Sequence, residues 1–150
     1  MRVFNTPLEL LDAVGEDLGY SQWHEVTQAQ INIFADATGD HQWIHTDPAQ
    51  AATGPFGSTI AHGFLTLSMI SMLSREVSTI NNATMLINYG MNKVRFPTPT
   101  LVGSHVRAHI VIDEVTQSNK GIQVVQTVTV EIQGSDKPAC VAQTVTLVVP

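Results

Sequence analysis

The stretch "GFLTLSMISMLSREV" (residues 63–77) decides the fold, because it predicts a helix that is apolar on every side. A helix of this kind is buried, and at 1.5 Å per residue it would be about 22 Å long. No charged residue occurs between Pro48 and Ser74. The apolar residues around the helix are Phe64, Leu65, Leu67, Met69, Ile70, Met72 and Leu73. We therefore expect one long central helix.

The chain changes its period after this helix, and the remaining segments predict β-strands. Apolar and polar residues alternate in "SHVRAHIVIDEV" (104–115), as expected for a strand with one buried face. Turn residues around Gly121 and Gly134 are typical of an antiparallel meander. The simplest packing wraps this sheet around the helix, which predicts an α+β fold. The other strand segments are "TMLINYGMNKVRF" (84–96), "GIQVVQTVTVEIQG" (121–134) and "PACVAQTVTLVV" (138–149).

The N-terminal part of the chain predicts shorter elements. Pro7 suits the first position of a short helix, and residues 21–26 predict a short strand. Thr27 and Gln30 form a T-x-x-Q capping box, which starts a helix that Gly39 ends.

The composition fits one domain that hides much of its surface. The chain has 150 residues, the length of a single domain, which we place at 1–150. Only 13% of its residues are charged, against about 25% in a typical domain. A surface so poor in charge predicts a homo-oligomer, and the exposed edge that a meander leaves favours a homodimer.

Charge and cysteine content argue against several classes of protein. The net charge of −6 and the seven scattered lysines and arginines disfavour binding to nucleic acids or anionic membranes. Cys140 is the only cysteine, so an intrachain disulfide and a cysteine zinc site are both excluded. The N-terminus lacks the apolar segment of a signal peptide, and no apolar run reaches 18 residues. We expect a cytoplasmic protein.

The loop predicted after Gly39 carries a carboxylate and an imidazole. Asp40 and His45 are separated by four residues. Such a pair can move protons in both directions, because histidine titrates near neutral pH. The alternative is structural: Asp40 stabilises a turn, and His45 forms an ordinary hydrogen bond in the loop. The D-x4-H spacing alone favours this structural interpretation.

His62 and Gly63 stand at the predicted start of the central helix. Free N–H groups and the positive end of the helix dipole lie there, and glycine allows a ligand to approach the backbone. Together they could stabilise an oxygen that gains negative charge, as an oxyanion hole does. Alternatively, Gly63 only relieves crowding and His62 caps the helix.

Other chemistry has less support. His41, His45 and Asp47 are close in sequence but form no known metal motif, and Asp47 is explained as an N-cap before a proline. In one strand, His105 and His109 would be roughly 13 Å apart, too far to share a metal ion. We therefore expect no metal site. No serine-hydrolase motif is present.

Three motifs resemble those of the MaoC-like (R)-specific enoyl-CoA hydratases, which have the hot-dog fold. "FADATGDHQWIHTD" (34–47) is similar to F-A-x-x-[ST]-G-D-x-N-P-[IL]-H-x-D, and "FGSTIAHG" (56–63) is similar to F-x-x-x-I-[AV]-H-G. "FPTPTLVG" (96–103) is similar to F-x-x-P-x-x-x-G. Gln42-Trp43 replaces the usual Asn-Pro, as in a subgroup related to nodulation protein N. The resemblance covers about residues 20–148.

The resemblance implies roles for individual residues. Asp40 and His45 would activate a water molecule. The N–H of Gly63 would bind the thioester carbonyl, with His62 beside it in the substrate-binding region. Trp43 is expected to reshape the acyl pocket or to close part of it.

The implied reaction is the reversible addition of water to trans-2-enoyl-CoA, which gives (R)-3-hydroxyacyl-CoA. It needs no metal or redox cofactor. The substrate partner would be an acyl thioester of CoA or of an acyl carrier protein, and Lys93 and Arg95 are candidates to bind its phosphates. A hot-dog thioesterase and a non-catalytic acyl-thioester-binding protein are the alternatives.

Overall fold

A computed structural model, which describes residues 1–150, contains a six-stranded antiparallel sheet and four α-helices. The strands are β1 (Arg2–Phe4), β2 (Asp17–Tyr20), β3 (His24–Glu25), β4 (Ser78–Ile80), β5 (Met85–Arg95), β6 (His105–Ser118), β7 (Gly121–Ile132) and β8 (Cys140–Val149). The helices are α1 (Gln28–Thr38), α2 (Trp43–Thr46), α3 (Pro48–Ala52) and α4 (Gly63–Val77). The α+β class predicted from the sequence is confirmed.

The order of strands in the sheet differs from a simple meander. It is β2-β6-β7-β8-β5, with β3 also paired to β6, so β5 lies beside β8 and not beside β6. The connection from β5 to β6 contains Pro97 and Pro99 and forms no hairpin between these two strands. Its residue Leu101 forms an isolated antiparallel bridge with Ile60 instead. The prediction of a meander is therefore correct only for β6, β7 and β8.

Helix α4 begins and ends at the residues predicted, but only one of its faces is buried. Leu65, Met69 and Leu73 belong to a core cluster that also includes residues of β6, β7 and β8. In contrast, Phe64 is 68% exposed and Met72 is 41% exposed. The expectation of a helix buried on all sides is wrong for the single chain. No helix of the protein is long and apolar enough to cross a membrane.

The N-terminal elements are more irregular than predicted. The first helix, Pro7–Asp12, is a 3₁₀ helix. The strand expected at 21–26 is wrong in its bounds, because pairing with β6 is divided between β2 and β3. Gly19 interrupts β2 with a positive φ of 87° and a shift of register. The pair of β1 with β4 was not predicted, because three-residue strands show too little periodicity.

Both ends of α1 form as the sequence predicts, and they determine where the chain goes next. The side chain of Thr27 accepts a hydrogen bond from the N–H of Gln30, and the side chain of Gln30 accepts one from the N–H of Thr27. At the other end Gly39 takes the left-handed conformation, with φ of 78°. Asp40 follows directly, so the end of α1 delivers this carboxylate to the region in front of α4.

Candidate active site

His45 lies on the short helix α2, where the sequence predicted a loop. It is only 6% exposed, and its Nδ1 is 2.7 Å from the carbonyl oxygen of Ile60. A carbonyl oxygen can only accept a hydrogen bond, so Nδ1 carries the proton. The neutral ring therefore has its lone pair on Nε2, which is the nitrogen left free for chemistry.

A residue that the sequence analysis missed supports the main chain of His45. Gln28 is the first residue of α1, and its side-chain amide donates a hydrogen bond to the main-chain carbonyl of His45 at 2.7 Å. Its oxygen accepts a bond from the hydroxyl of Thr59. Gln28 thus connects α1, α2 and the segment before α4. Its position after the capping threonine was visible in the sequence, but its partners were not.

Asp40 is the exposed member of the site. Its side chain is 54% exposed, and Oδ1 accepts a hydrogen bond from the N–H of Gln42 at 3.3 Å. This bond is the turn-stabilising role considered from the sequence. Because Oδ2 makes no hydrogen bond, one carboxylate oxygen remains available to another group.

His62 is buried between aromatic rings in front of α4. It is 3% exposed, and its ring stacks on that of His45 with centroids 3.8 Å apart. Its Nε2 donates a hydrogen bond to the main-chain carbonyl of Asp40 at 2.9 Å. His62 occupies the N-cap position of α4, but its side chain makes no hydrogen bond to the start of the helix, so its ring does not cap the helix.

Asp40, His45 and His62 form one cluster. Each offers one polar atom, and these atoms lie within 4.8 Å of one another. Side chains of these types can hold a water molecule or a metal ion, but each histidine already uses one ring nitrogen as a donor to a carbonyl. The metal site that the sequence argued against, with His41, His45 and Asp47, shares only His45 with this cluster.

Two glycines near the cluster lie against aromatic rings. A Cβ atom on Gly63 would be 3.2 Å from the ring of Phe96, and one on Gly54 would be 3.0 Å from the ring of Trp43. The ring of Trp43 therefore packs on the turn after α3. Phe96 begins the third sequence motif, and its contact with Gly63 brings that motif to the start of α4.

The three motifs thus converge in space. Comparison with known proteins supports the family resemblance that these motifs showed. The model of the MaoC-like domain family matches residues 9–133. The chain is 51% identical over 146 residues to 3-hydroxyacyl-thioester dehydratase Z of Mycobacterium tuberculosis, and the match covers 97% of each chain. The protein belongs to the MaoC-like domain family.

Other relatives of this MaoC-like protein agree with the subgroup and the fold. Nodulation protein N of Rhizobium leguminosarum bv. viciae is 45% identical over 139 residues, which is 90% of this chain and 86% of the relative. The solved structure of an (R)-hydratase from A. caviae involved in PHA biosynthesis superposes with a TM-score of 0.74. That match has 25% identity and covers 91% of this chain and 96% of the other. The hot-dog fold is confirmed.

Two residues named from the sequence do not join the cluster. Lys93 and Arg95 lie on β5, and both are exposed. Neither forms an ion pair with an acidic side chain. Arg95 directly precedes Phe96, the residue that packs on Gly63. Cys140 is buried, and burial raises the pKa of its thiol to about 11.

The surroundings of His45 lower its pKa from the ordinary value of 6.5. Burial is the main cause, and a positive charge on the adjacent His62 would act in the same direction. The hydrogen bond to Ile60 and the charge of Asp40 act in the opposite direction and are outweighed. The neutral imidazole, with a free Nε2, is therefore favoured at neutral pH.

This lowered pKa predicts that His45 makes stability depend on pH. Below 6.5 the unfolded chain binds a proton at His45 more readily than the folded protein does, so acid favours unfolding. The contribution of neutral, buried His45 to the free energy of unfolding is fully present above pH 6.5 and is lost as the pH falls toward the folded-state pKa of this residue. Urea unfolding from pH 7.5 to 5 should therefore show a steeper fall for the wild type than for His45→Gln.

The matched control is His105→Gln, because His105 is exposed and makes no side-chain hydrogen bond. This variant should follow the pH dependence of the wild type. Parallel curves for the wild type and His45→Gln would contradict the prediction.

Proposed function

We propose that the protein is a hydro-lyase that adds water reversibly to a trans-2-enoyl thioester and gives an (R)-3-hydroxyacyl thioester. The main support is the convergence of Asp40 and His45 with His62, the residue before Gly63, in a chain 51% identical to a 3-hydroxyacyl-thioester dehydratase. The reverse reaction, dehydration, uses the same groups by microscopic reversibility.

In the proposed mechanism, Asp40 and His45 act on one water molecule. A free carboxylate oxygen and the free Nε2 of His45 can both accept hydrogen bonds from it. As the water oxygen forms a bond to C3, the dyad takes up one of its protons. The dyad then delivers a proton to C2, so that one water is added in total across the double bond.

Attack at C3 moves electrons to the thioester carbonyl, and the N–H of Gly63 is proposed to bind this oxygen. The first N–H groups of α4 have no partner within the helix, and the helix dipole is positive at this end. Removal of one such donor typically costs about 10²–10³ in turnover. Gly63 lacks the Cβ atom that would press on Phe96, which keeps this end of the helix open.

The remaining substrate contacts are proposals of lower detail. Lys93 and Arg95 are exposed and unpaired, which suits the binding of phosphates on CoA or on the arm of an acyl carrier protein. Trp43, packed on Gly54, would limit the acyl pocket on the side of α3.

Three further expectations from the sequence stay predictions. They are a single domain at 1–150, a cytoplasmic location, and a reaction that needs no metal or redox cofactor.

The dyad predicts that Asp40→Asn and His45→Gln each lower turnover by about 10²–10⁴-fold, the usual effect of losing an acid–base group. Steady-state hydration of crotonyl-CoA measures the effect. Asp12→Asn is the control, because Asp12 is exposed at the end of the 3₁₀ helix and forms no ion pair. Turnover close to that of the wild type in either dyad variant would remove that residue from the mechanism.

A second measurement tests the reaction class. With crotonyl-CoA, the protein should reduce the absorbance of the conjugated enoyl group without releasing free thiol. Thiol release at the same rate would identify a thioesterase instead. No change in either signal over several chain lengths, on CoA and on acyl carrier protein, would favour the alternative of a non-catalytic thioester-binding protein.

We also propose that the protein is a homodimer that pairs through β5. This strand is at the edge of the sheet, and ten of its eleven residues are exposed in the single chain. A groove of about 650 Å³ separates it from the outer face of α4. Exposed edges and apolar faces need cover, and a second copy would provide it. The exposed apolar residues of β5 are Met85, Leu86, Ile87, Tyr89 and Met91, and Leu86 and Met91 line this groove.

The homodimer predicts a mass of twice 16.3 kDa in light scattering. Leu86→Lys should shift the particle toward the single-chain mass, because a charge would be buried in the interface. Val14→Lys is the matched control, since both side chains are 55% exposed. The residue after Val14, Gly15, bonds to Ile112 of β6, and β7 and β8 separate β6 from β5. A wild-type mass of 16.3 kDa at working concentration would refute the dimer.

A further inference from the structure

His62 has no part in the proposed proton transfers, although it is the most deeply buried histidine of the cluster. Its ring has three neighbours: the main-chain carbonyl of Asp40 at 2.9 Å, the ring of His45 at 3.8 Å and the ring of Phe34 at 5.0 Å. Two of these three neighbours belong to the residues that act on the water. Burial of a polar ring costs free energy, so we expect His62 to have a specific function at this position.

We propose that His62 is a positioning residue, which holds the backbone of Asp40 and the ring of His45 at the separation that lets both contact one water molecule. The proposal rests on the hydration reaction proposed for this site. His62 does not touch the substrate in this role, and it acts only through its two neighbours.

The hydrogen bonding of His62 is unusually one-sided. Because its partner is a carbonyl oxygen, Nε2 must carry a proton. The other nitrogen, Nδ1, is buried and has no hydrogen-bond partner. Leaving a buried polar atom without a partner costs free energy. The bond to the Asp40 carbonyl is the only hydrogen bond of this ring, and the carboxylate oxygen Oδ2 of the same residue lies farther away, 4.0 Å from Nε2. A purely apolar residue would pack here at lower cost if packing were its only task.

Asp40 needs this contact because little else holds it. The N–H of Asp40 is 3.4 Å from the hydroxyl of Thr38, and Oδ1 is 3.3 Å from the N–H of Gln42, and both are long for hydrogen bonds. Its side chain is half exposed. The 2.9 Å bond from His62 is therefore the tightest restraint on this residue. A misplacement of about 1 Å in an active site can cost about 10²-fold in rate.

The stacking contact restrains His45 in a different direction. The bond from Nδ1 to Ile60 fixes one edge of the ring but allows rotation about that bond. The ring of His62 lies nearly parallel to it, with 23° between the planes, and blocks this rotation on one face. Together the two contacts fix the direction in which Nε2 points.

Two substitutions separate these contacts. His62→Phe keeps an aromatic ring for stacking but removes the donor to Asp40. His62→Gln keeps an amide donor that can reach the same carbonyl but removes the ring. Val77→Ala is the control for stability, because Val77 is buried in α4 about 22 Å along the helix from His62.

For crotonyl-CoA hydration, His62→Phe should lower kcat by about 10–10²-fold and leave KM within about threefold, because the dyad acts in the transition state. His62→Gln should recover at least about fivefold of that loss, since it restores the bond that positions Asp40. Val77→Ala should keep the wild-type kcat below its melting temperature. Equal kcat values for the wild type and His62→Phe, or equal losses in the Phe and Gln variants, would overturn the proposal.

Nitrogen NMR of the wild type tests the geometry without any turnover. Couplings between ring protons and nitrogens should place the proton of His62 on Nε2 and that of His45 on Nδ1, with His62→Gln used to assign the signals. A proton on Nδ1 of His62 in the neutral ring would overturn the proposal. If the wild type hydrates no thioester, the proposed function fails, and this spectrum still decides whether His62 holds Asp40.

Discussion

The site depends on a short backbone pairing between the segment before α4 and the segment before β6. The N–H of Ala61 donates to the carbonyl of Thr100 at 2.8 Å, and the N–H of Val102 donates to the carbonyl of Thr59 at 2.9 Å. This pairing fixes Ile60, whose carbonyl orients His45 and whose N–H bonds to the carbonyl of Ile44 at 3.0 Å. Helix α2, which carries His45 of the candidate site, is therefore held by main-chain bonds to the segment before α4.

A neutral carbonyl, and not a carboxylate, orients His45, and this choice has an electrostatic consequence. A carboxylate on Nδ1 would favour the charged imidazolium, whereas a carbonyl does so only weakly. Burial then dominates, and the pKa of His45 falls. No charged side chain occurs from Pro48 to Ser74, so this stretch supplies no carboxylate that would raise the pKa of His45. The imidazole remains available as a proton acceptor near neutral pH.

The elements with strong local signals could be predicted from the sequence, and those set by distant contacts could not. The bounds of α4, the capping box of Thr27 and the left-handed Gly39 follow from nearby residues. The place of β5 beside β8 depends on a connection whose path is set by pairing with Ile60. The sequence contains no periodic signal for that path.

The same distinction applies to the site residues. Asp40, His45 and Gly63 belong to recognisable motifs, and the chain brings these motifs together. The partners of the two histidines are main-chain carbonyls of residues 40 and 60, which no side-chain pattern reveals. Likewise, the stacking of His62 on His45 joins residues from separate motifs. Sequence analysis could name these residues but could not assign their contacts.

Main-chain acceptors also determine what kinds of mutation this region tolerates during evolution. The side chain of Ile60 takes no part in the bond to His45, so other apolar residues at this position would preserve the site. The number of residues from Ile60 to Gly63 is a stricter requirement, because it sets the distance between the carbonyl that orients His45 and the first N–H of α4. We therefore expect other apolar side chains to be tolerated at position 60, whereas an insertion or deletion of one residue would separate the proposed proton-transfer groups from the helix start.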